Sequence, residues 1–294
     1  MSPLDIVLLL LTGLAAGTCG ALMGIGGGVI MVPVLTAFFA IPVKEAAAAS
    51  LVTVIATSMA GSSRYLKQRM VNIRLAFLLE TVTSLGAITG ALLAILVPPY
   101  ILYFILSVLL GYLALQQFKT REIEEEKIKH MGYKNVKEDK VARILKLASS
   151  YYDLAERTLV EYNISNTGVG LIASFFAGVL SAMLGIGGGV LKVSFMNQLM
   201  NTPIKAAIAT SKFMIDITAS TGAIIYYITG IVNLAIVAPM VLGVTSGAIM
   251  GATVMNKIKS RRLKTGFALL LAYLSYLMLR KGIYIYTGML LPGP

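Results

Sequence analysis

The sequence predicts an all-α polytopic membrane protein: two inverted-topology repeats of about five helical segments each, with broken or short helices at two glycine clusters. Composition predicts the membrane. Of 294 residues, 57% are apolar and only 13% are charged, and the mean hydropathy is +0.83. A soluble domain of this length needs far more polar surface. A long internal register predicts the repeat. "ALMGIGGGVIMVP" begins at Ala21 and "AMLGIGGGVLKVS" at Ala182, so Gly185 follows Gly24 by 161 positions. The same offset pairs Gly17 with Gly178, Pro42 with Pro203, Lys44 with Lys205, Ser50 with Ser211, Asn72 with Asn233 and Gly90 with Gly251. Chance does not hold such a register across two apolar sequences. Loop charge, taken up below, predicts the inversion.

The segments follow in order. Repeat 1, residues 1–118, divides into apolar runs near 4–22, 28–40, 46–63, 75–97 and 100–118. Repeat 2, residues 166–294, divides near 168–184, 190–200, 206–229, 234–255 and 265–279, with a short apolar tail from Ile283. Most runs approach the ~20 residues that cross ~30 Å of hydrocarbon. The second run of each half is too short for that and reads as a half-helix. No Lys or Arg precedes Lys44, so the first run reads as a retained membrane segment, not a cleaved leader.

Residues 119–165 form the one strongly polar stretch and read as a charged helical linker. Val141, Ile144, Leu145, Ala148, Tyr152 and Ala155 recur at helical spacing, which predicts an amphipathic helix on the membrane surface. The stretch carries ten Lys or Arg, which places it in the cytoplasm and the chain in the cytoplasmic membrane. In repeat 1 the loop after segment three is basic (Arg64, Lys67, Arg69, Arg74) and the next turn, "VPPY", is uncharged. In repeat 2 the pattern is swapped: "TGIVN" is uncharged and "NKIKSRRLK" is basic. Matched loops then face opposite sides, as an odd number of segments per half requires. Lys44, Lys205, Arg280 and Lys281 fit this scheme less well than the dense basic loops. The net charge of +12 is accounted for by this orienting charge, and no nucleic-acid partner is expected.

Glycine is a poor helix interior, costing about 1 kcal/mol per residue relative to Ala. Broken backbone at membrane depth must be shielded by protein or line a cavity. Gly24, Gly26, Gly27 and Gly28, with Gly185, Gly187, Gly188 and Gly189, therefore mark two discontinuities expected to meet near the pseudo-twofold axis. Half-helices starting at Val29 and Val190 would aim free N–H groups at a shared anion site. The competing reading gives the glycines only a close-packing role, as expected at Gly86, Gly90, Gly247 and Gly251. Lys192, in the first turn of the second half-helix, would supply a cation. Ser50, Thr210, Ser211 and Lys212 are further candidates for substrate binding, and Asp216 and Glu80 for proton or sodium coupling. Lys212 and Asp216, four apart, could instead neutralise each other, and Glu80 could snorkel to the interface.

The doubled "GIGGG", the stretches "PVKEAAAASL" and "PIKAAIATSK" after it, and the charged central loop resemble the TauE/SafE sulfite exporter family, also called the 4-toluene sulfonate uptake permease family. The resemblance implies a secondary carrier for small sulfur-containing anions such as sulfite or sulfonates. Repeat 2 departs from the pattern in having Lys192 and Ser194 where repeat 1 runs on to Pro33.

The expected function is alternating-access transport of a small anion, a sulfur oxyanion or organosulfonate, at a midplane site. A passive anion channel using the same site is the alternative. No Gly-Lys dipeptide is present, so no P-loop exists to draw on ATP. Neither Gly-x-Ser-x-Gly nor His-Glu-x-x-His occurs, and the chain has one histidine and one cysteine. No enzyme, metal or cofactor is expected.

Overall fold

The computed structural model describes residues 3–23, 27–119, 133–134, 136–153, 157–254 and 260–289. The first half contains α1 (Pro3–Met23), α2 (Gly28–Phe38), α3 (Val43–Lys67), α4 (Ile73–Leu96) and α5 (Pro99–Lys119). The second contains α7 (Thr167–Leu184), α8 (Gly189–Gln198), α9 (Ile204–Ile228), α10 (Leu234–Val254) and α11 (Ser260–Thr287). Between them lie a short helix, α6 (Lys140–Ile144), and a hairpin of β1 (Ser149–Asp153) and β2 (Thr158–Tyr162). The protein is an all-α polytopic membrane protein, with a small hairpin among the described residues. α1, α4, α5, α7, α10 and α11 each hold a stretch long and apolar enough to span a bilayer.

The two short helices are short as their sequence requires. α2 has 11 residues and α8 has 10, about 15–16 Å of helix, half a membrane. α3 and α9 have 25 residues each, ample to cross, but polar side chains run through their middles and neither holds a stretch as apolar as those of the six spanning helices. They pack against each other in the interior, where those side chains find protein partners. The tail from Ile283 is part of α11, which continues to Thr287.

Helix packing repeats at the sequence offset. A Cβ at Gly86 would strike the Phe175 carbonyl, and one at Gly247 would strike that of Leu14, the residue 161 positions before Phe175. Gly90 meets Val179 and Gly251 meets Thr18; Gly178 meets Thr83 and Gly17 meets Val244. Each pair is the image of the other. Absence of a side chain lets the α1–α10 and α4–α7 backbones touch, the small-residue packing used where lipid offers no hydrophobic drive.

The equivalent helices α3 and α9 run antiparallel. Leu51 lies by Gly222, Ser62 Oγ donates to Asp216 Oδ2 at 2.8 Å, and Lys212 Nζ sits 5.5 Å from the Tyr65 ring centre. α5 and α11 are antiparallel too. Tyr100 stacks on Tyr286 at 5.1 Å, while Ser107 and Ser275 exchange hydroxyl-to-carbonyl bonds of 2.9 and 2.8 Å.

The central stretch departs from the expected amphipathic helix. Val141, Ile144, Leu145 and Ala148 are exposed, so their spacing marks no buried stripe, and Ala155 lies outside the described residues. From Ser149 the pattern becomes two-residue: Tyr151 and Asp153 turn inward while Tyr152 stays 51% exposed. Tyrosines suit a pleated, half-buried strand, and Ser149 pairs with Tyr162 through Asp153 with Thr158. Asp139 anchors this region. Its Oδ1 accepts from Ala142 N at 2.7 Å and Thr167 Oγ1 at 3.0 Å, and its Oδ2 from Thr167 N. It therefore caps α6 and holds the start of α7. Desolvation raises its pKa, but the bonds from Ala142 and Thr167 outweigh that and hold it below the ordinary value.

Three outcomes are expected for stability in detergent. Gly86→Ala and Gly247→Ala should each cost about 1–3 kcal/mol from overpacking, by similar amounts. Gly168→Ala, with open space around it, should leave the thermal midpoint unchanged or raised. Asp139→Ala should cost about 1 kcal/mol near neutral pH. Because the folded carboxylate has the lowered pKa, that contribution is complete above the unfolded value of about 3.9 and fades as pH falls through the folded one. The gap between wild type and variant should close on acidification.

Candidate functional site

α7 ends at Leu184, and the chain passes through Gly185, Gly187 and Gly188 with φ of 72°, 72° and 67°. Residues with a Cβ avoid this left-handed region, so glycine here is a backbone requirement. α8 then begins at Gly189, one residue before the expected Val190. In the first half Gly27 has φ 78° and α2 begins at Gly28, again one residue early. Gly24 and Gly26 lie outside the described residues. Neither α2 nor α8 has a side-chain N-cap, so their first-turn N–H groups and positive dipole ends face the junction without a capping oxygen.

The two breaks meet. A Cβ at Gly28 would lie 3.0 Å from Gly185 O and 3.1 Å from Ile186 C. Val54 of α3 and Ile215 of α9, themselves one offset apart, close around Gly187. Ser50 Oγ donates to Gly185 O at 2.6 Å and lies 3.4 Å from Gly28 O; Ser211 Oγ donates to Gly189 O at 3.1 Å. Both serines thus fasten the freed backbone to the crossing helices. Thr210 is likewise committed, its Oγ1 accepting from Asn72 N at 3.0 Å at the start of α4.

The charged candidates gather on one side of this junction. Lys192 is fully buried, and its Nζ lies 3.2 Å from Glu80 Oε2. It also donates to Thr218 Oγ1, which lies 2.5 Å from Glu80 Oε1. Ser84 Oγ donates to the same carboxylate at 3.2 Å. Glu80, 3% exposed, does not snorkel: its helix turns it inward, where the low dielectric demands a partner. Lys192 correspondingly is not an unpaired cation, because Glu80 neutralises it. Thr218, which links the two, was not singled out by the sequence; its signal was a hydroxyl two residues beyond Asp216 inside an apolar helix.

Lys212 and Asp216 form no ion pair within 4 Å among the described residues. Asp216 Oδ2 takes its bond from Ser62, while Lys212 lies over Tyr65. The Asp216 Oδ1 atom and Ser181 Oγ are buried and have no hydrogen-bond partner among the described residues. Ser181 lies directly against Gly188. The Ser181 hydroxyl, left open beside the start of α8, can donate to a small anion, whereas the Asp216 oxygen can only accept and suits a cation or proton. No group of three or more His, Cys, Asp or Glu suited to a metal occurs among the described residues.

Lys192→Ala should expose the cost of the buried pair. Glu80 would remain buried without a counter-charge, a loss of about 3–5 kcal/mol. Combining Lys192→Met with Glu80→Gln should recover most of the thermal midpoint. Equal midpoints for the single and double variants would remove the ion pair from the energetics.

Comparison with known proteins agrees with this architecture. Residues 9–278 match the family described as Sulfite exporter TauE/SafE. The chain is 27% identical over 291 residues to the probable membrane transporter protein YunE of Bacillus subtilis (strain 168), covering 96% of this chain and 100% of that protein. It is 24% identical over 276 residues to the probable membrane transporter protein YdhB of the same organism, covering 94% and 99%. No solved structure matches. With two glycine-broken half-helices packed at one junction and a match that runs nearly end to end, the chain belongs to the TauE/SafE sulfite exporter family of membrane transporters.

Proposed function

We propose that the protein is a secondary carrier that moves a small anion, a sulfur oxyanion or organosulfonate, across the cytoplasmic membrane by alternating access. The observation that carries this reading is the contact of Gly28, the start of α2, with Gly185 and Ile186, three to four residues before α8 begins at Gly189, so that both uncapped helix starts lie near one junction. An anion there gains from both dipoles and their free N–H groups. The antiparallel packing of equivalent helices supports an inverted repeat, in which rocking of one half against the other exposes a fixed central site to each side in turn. Lys212, Ser181 and the glycine amides are the substrate contacts. Asp216, with its open Oδ1, is the position for a coupling proton or sodium ion. The ten basic residues of 119–165 favour a cytoplasmic linker.

Purified protein in liposomes should show saturable uptake of sulfite or a small sulfonate, accelerated by the same anion inside. A passive channel would give flux without that trans-stimulation. Gly188→Val, which forces a side chain into a left-handed backbone against Ser181, should abolish uptake while the protein remains inserted. Lys212→Ala should weaken apparent affinity about tenfold or more, the scale of one charged hydrogen bond. Unimpaired uptake by both variants would move the site elsewhere.

A further inference from the structure

The repeat offset maps one face of the molecule onto the other, and the two faces are not alike. On the face holding the α3, α5 and α10 starts, a cavity of about 740 Å³ is open. It is lined by Pro42–Glu45, Gly230–Ala235 and Pro99. The offset carries these lining residues to Pro203–Ala206 and Arg69–Arg74 on the opposite face. The backbone there is the same. Arg69 and Gly230 both have positive φ, Met70 N bonds Tyr65 O as Ile231 N bonds Tyr226 O, and Ala46 and Ala207 bond Pro42 and Pro203 alike.

The β1–β2 hairpin and α6 sit on that matching surface. Lys205, counterpart of the cavity-lining Lys44, holds Asp153 of β1 at 2.8 and 2.7 Å. Asn72, counterpart of Asn233, donates to Leu147 O at 2.8 Å, and Arg74, counterpart of Ala235, to Lys146 O at 3.0 Å. Tyr151, Tyr162 and Leu147 pack with Leu75, Ala76 and Ala206 in one apolar cluster. At three pairs burial follows this cover: Pro203, Val71 and Asn72 are buried, whereas Pro42 and Asn233 are exposed and Val232 is half-buried; Val43 and Ile204 run the other way, buried and half-buried.

We infer that the hairpin is a plug. It fills the mouth that repeat symmetry would otherwise open on its face, and the Lys205–Asp153 pair is its latch. The chain as folded is therefore open at the α3 start and shut at the hairpin, and passage to the second side requires the hairpin to lift. This rests on the carrier reading for its purpose, but its geometry can be tested without any substrate.

In full-length protein with Cys19→Ser, Val71→Cys reports on the covered face and Val232→Cys on the open one. N-ethylmaleimide should label Cys at 232 at least about tenfold faster than Cys at 71, and adding Asp153→Ala should speed labelling at 71 by about tenfold while leaving 232 unchanged. Equal rates at 71 and 232, or no response to Asp153→Ala, would overturn the plug. Cross-linking Lys205→Cys to Asp153→Cys with a short reducible reagent should stop sulfite flux in liposomes, and reduction should restore it. Full flux through the cross-linked protein would also overturn the inference. Absence of any anion flux in uncross-linked protein would instead count against the carrier reading, while the labelling rates still decide the plug.

Discussion

A helix that breaks inside a membrane must have its freed backbone groups satisfied by protein, because hydrocarbon offers no hydrogen bonds. Much of this structure follows from meeting that demand twice. At the second break Ile186 N bonds Ser181 O, Ser50 reaches Gly185 O from α3, and Ser211 reaches Gly189 O from α9. Tyr226 OH donates to Ala182 O at 3.1 Å in the last turn before the break. The carbonyls are thereby fixed while the first-turn N–H groups of α2 and α8 keep no side-chain cap. Uncapped helix starts carry positive dipole ends, an environment that favours negative charge.

The full charges lie only on one side of that symmetric frame. Where repeat 2 and α4 place Lys192, Lys212, Asp216 and Glu80, the offset positions are Met31, Leu51, Ile55 and Val241. Thr218 alone keeps a hydroxyl partner, Thr57. The two halves thus carry equivalent grooves, one ionic and the other apolar. A buried Lys–Glu pair contributes little to stability compared with an apolar isostere. Lys192 places it in the first turn of α8, beside the glycine junction.

Isolated lysines that fit poorly with loop-based topology have a local explanation. Lys44 Nζ donates to Ile95 O at 2.6 Å, near the end of α4, and Lys281 Nζ donates to Thr36 O, near the end of α2. Each satisfies a carbonyl that the helix itself leaves open and meets the negative end of a dipole. These charges terminate helices; they do not report which side of the membrane they face. Lys205 holds the hairpin through Asp153, so one repeat position serves as helix stop in one half and as tether in the other.

Membrane class, repeat, helix order and both breaks were legible in the sequence, because each rests on a local or periodic property: apolar run length, a fixed offset, and glycine's access to left-handed backbone. Half-helix starts were displaced by only one residue, since Gly28 and Gly189 can themselves enter the helix. Side-chain pairing was not legible. Whether Lys192 faces a ligand or Glu80 depends on how α4 and α8 are rotated about their axes, and 112 positions of chain separate the two residues. The central stretch was misread because helical spacing in a polar segment is weak evidence unless a packed face confirms it. Tertiary structure decided that Tyr151, Tyr162 and Leu147 would bury against α4 and α9, and that contact selects a pleated hairpin over a surface helix.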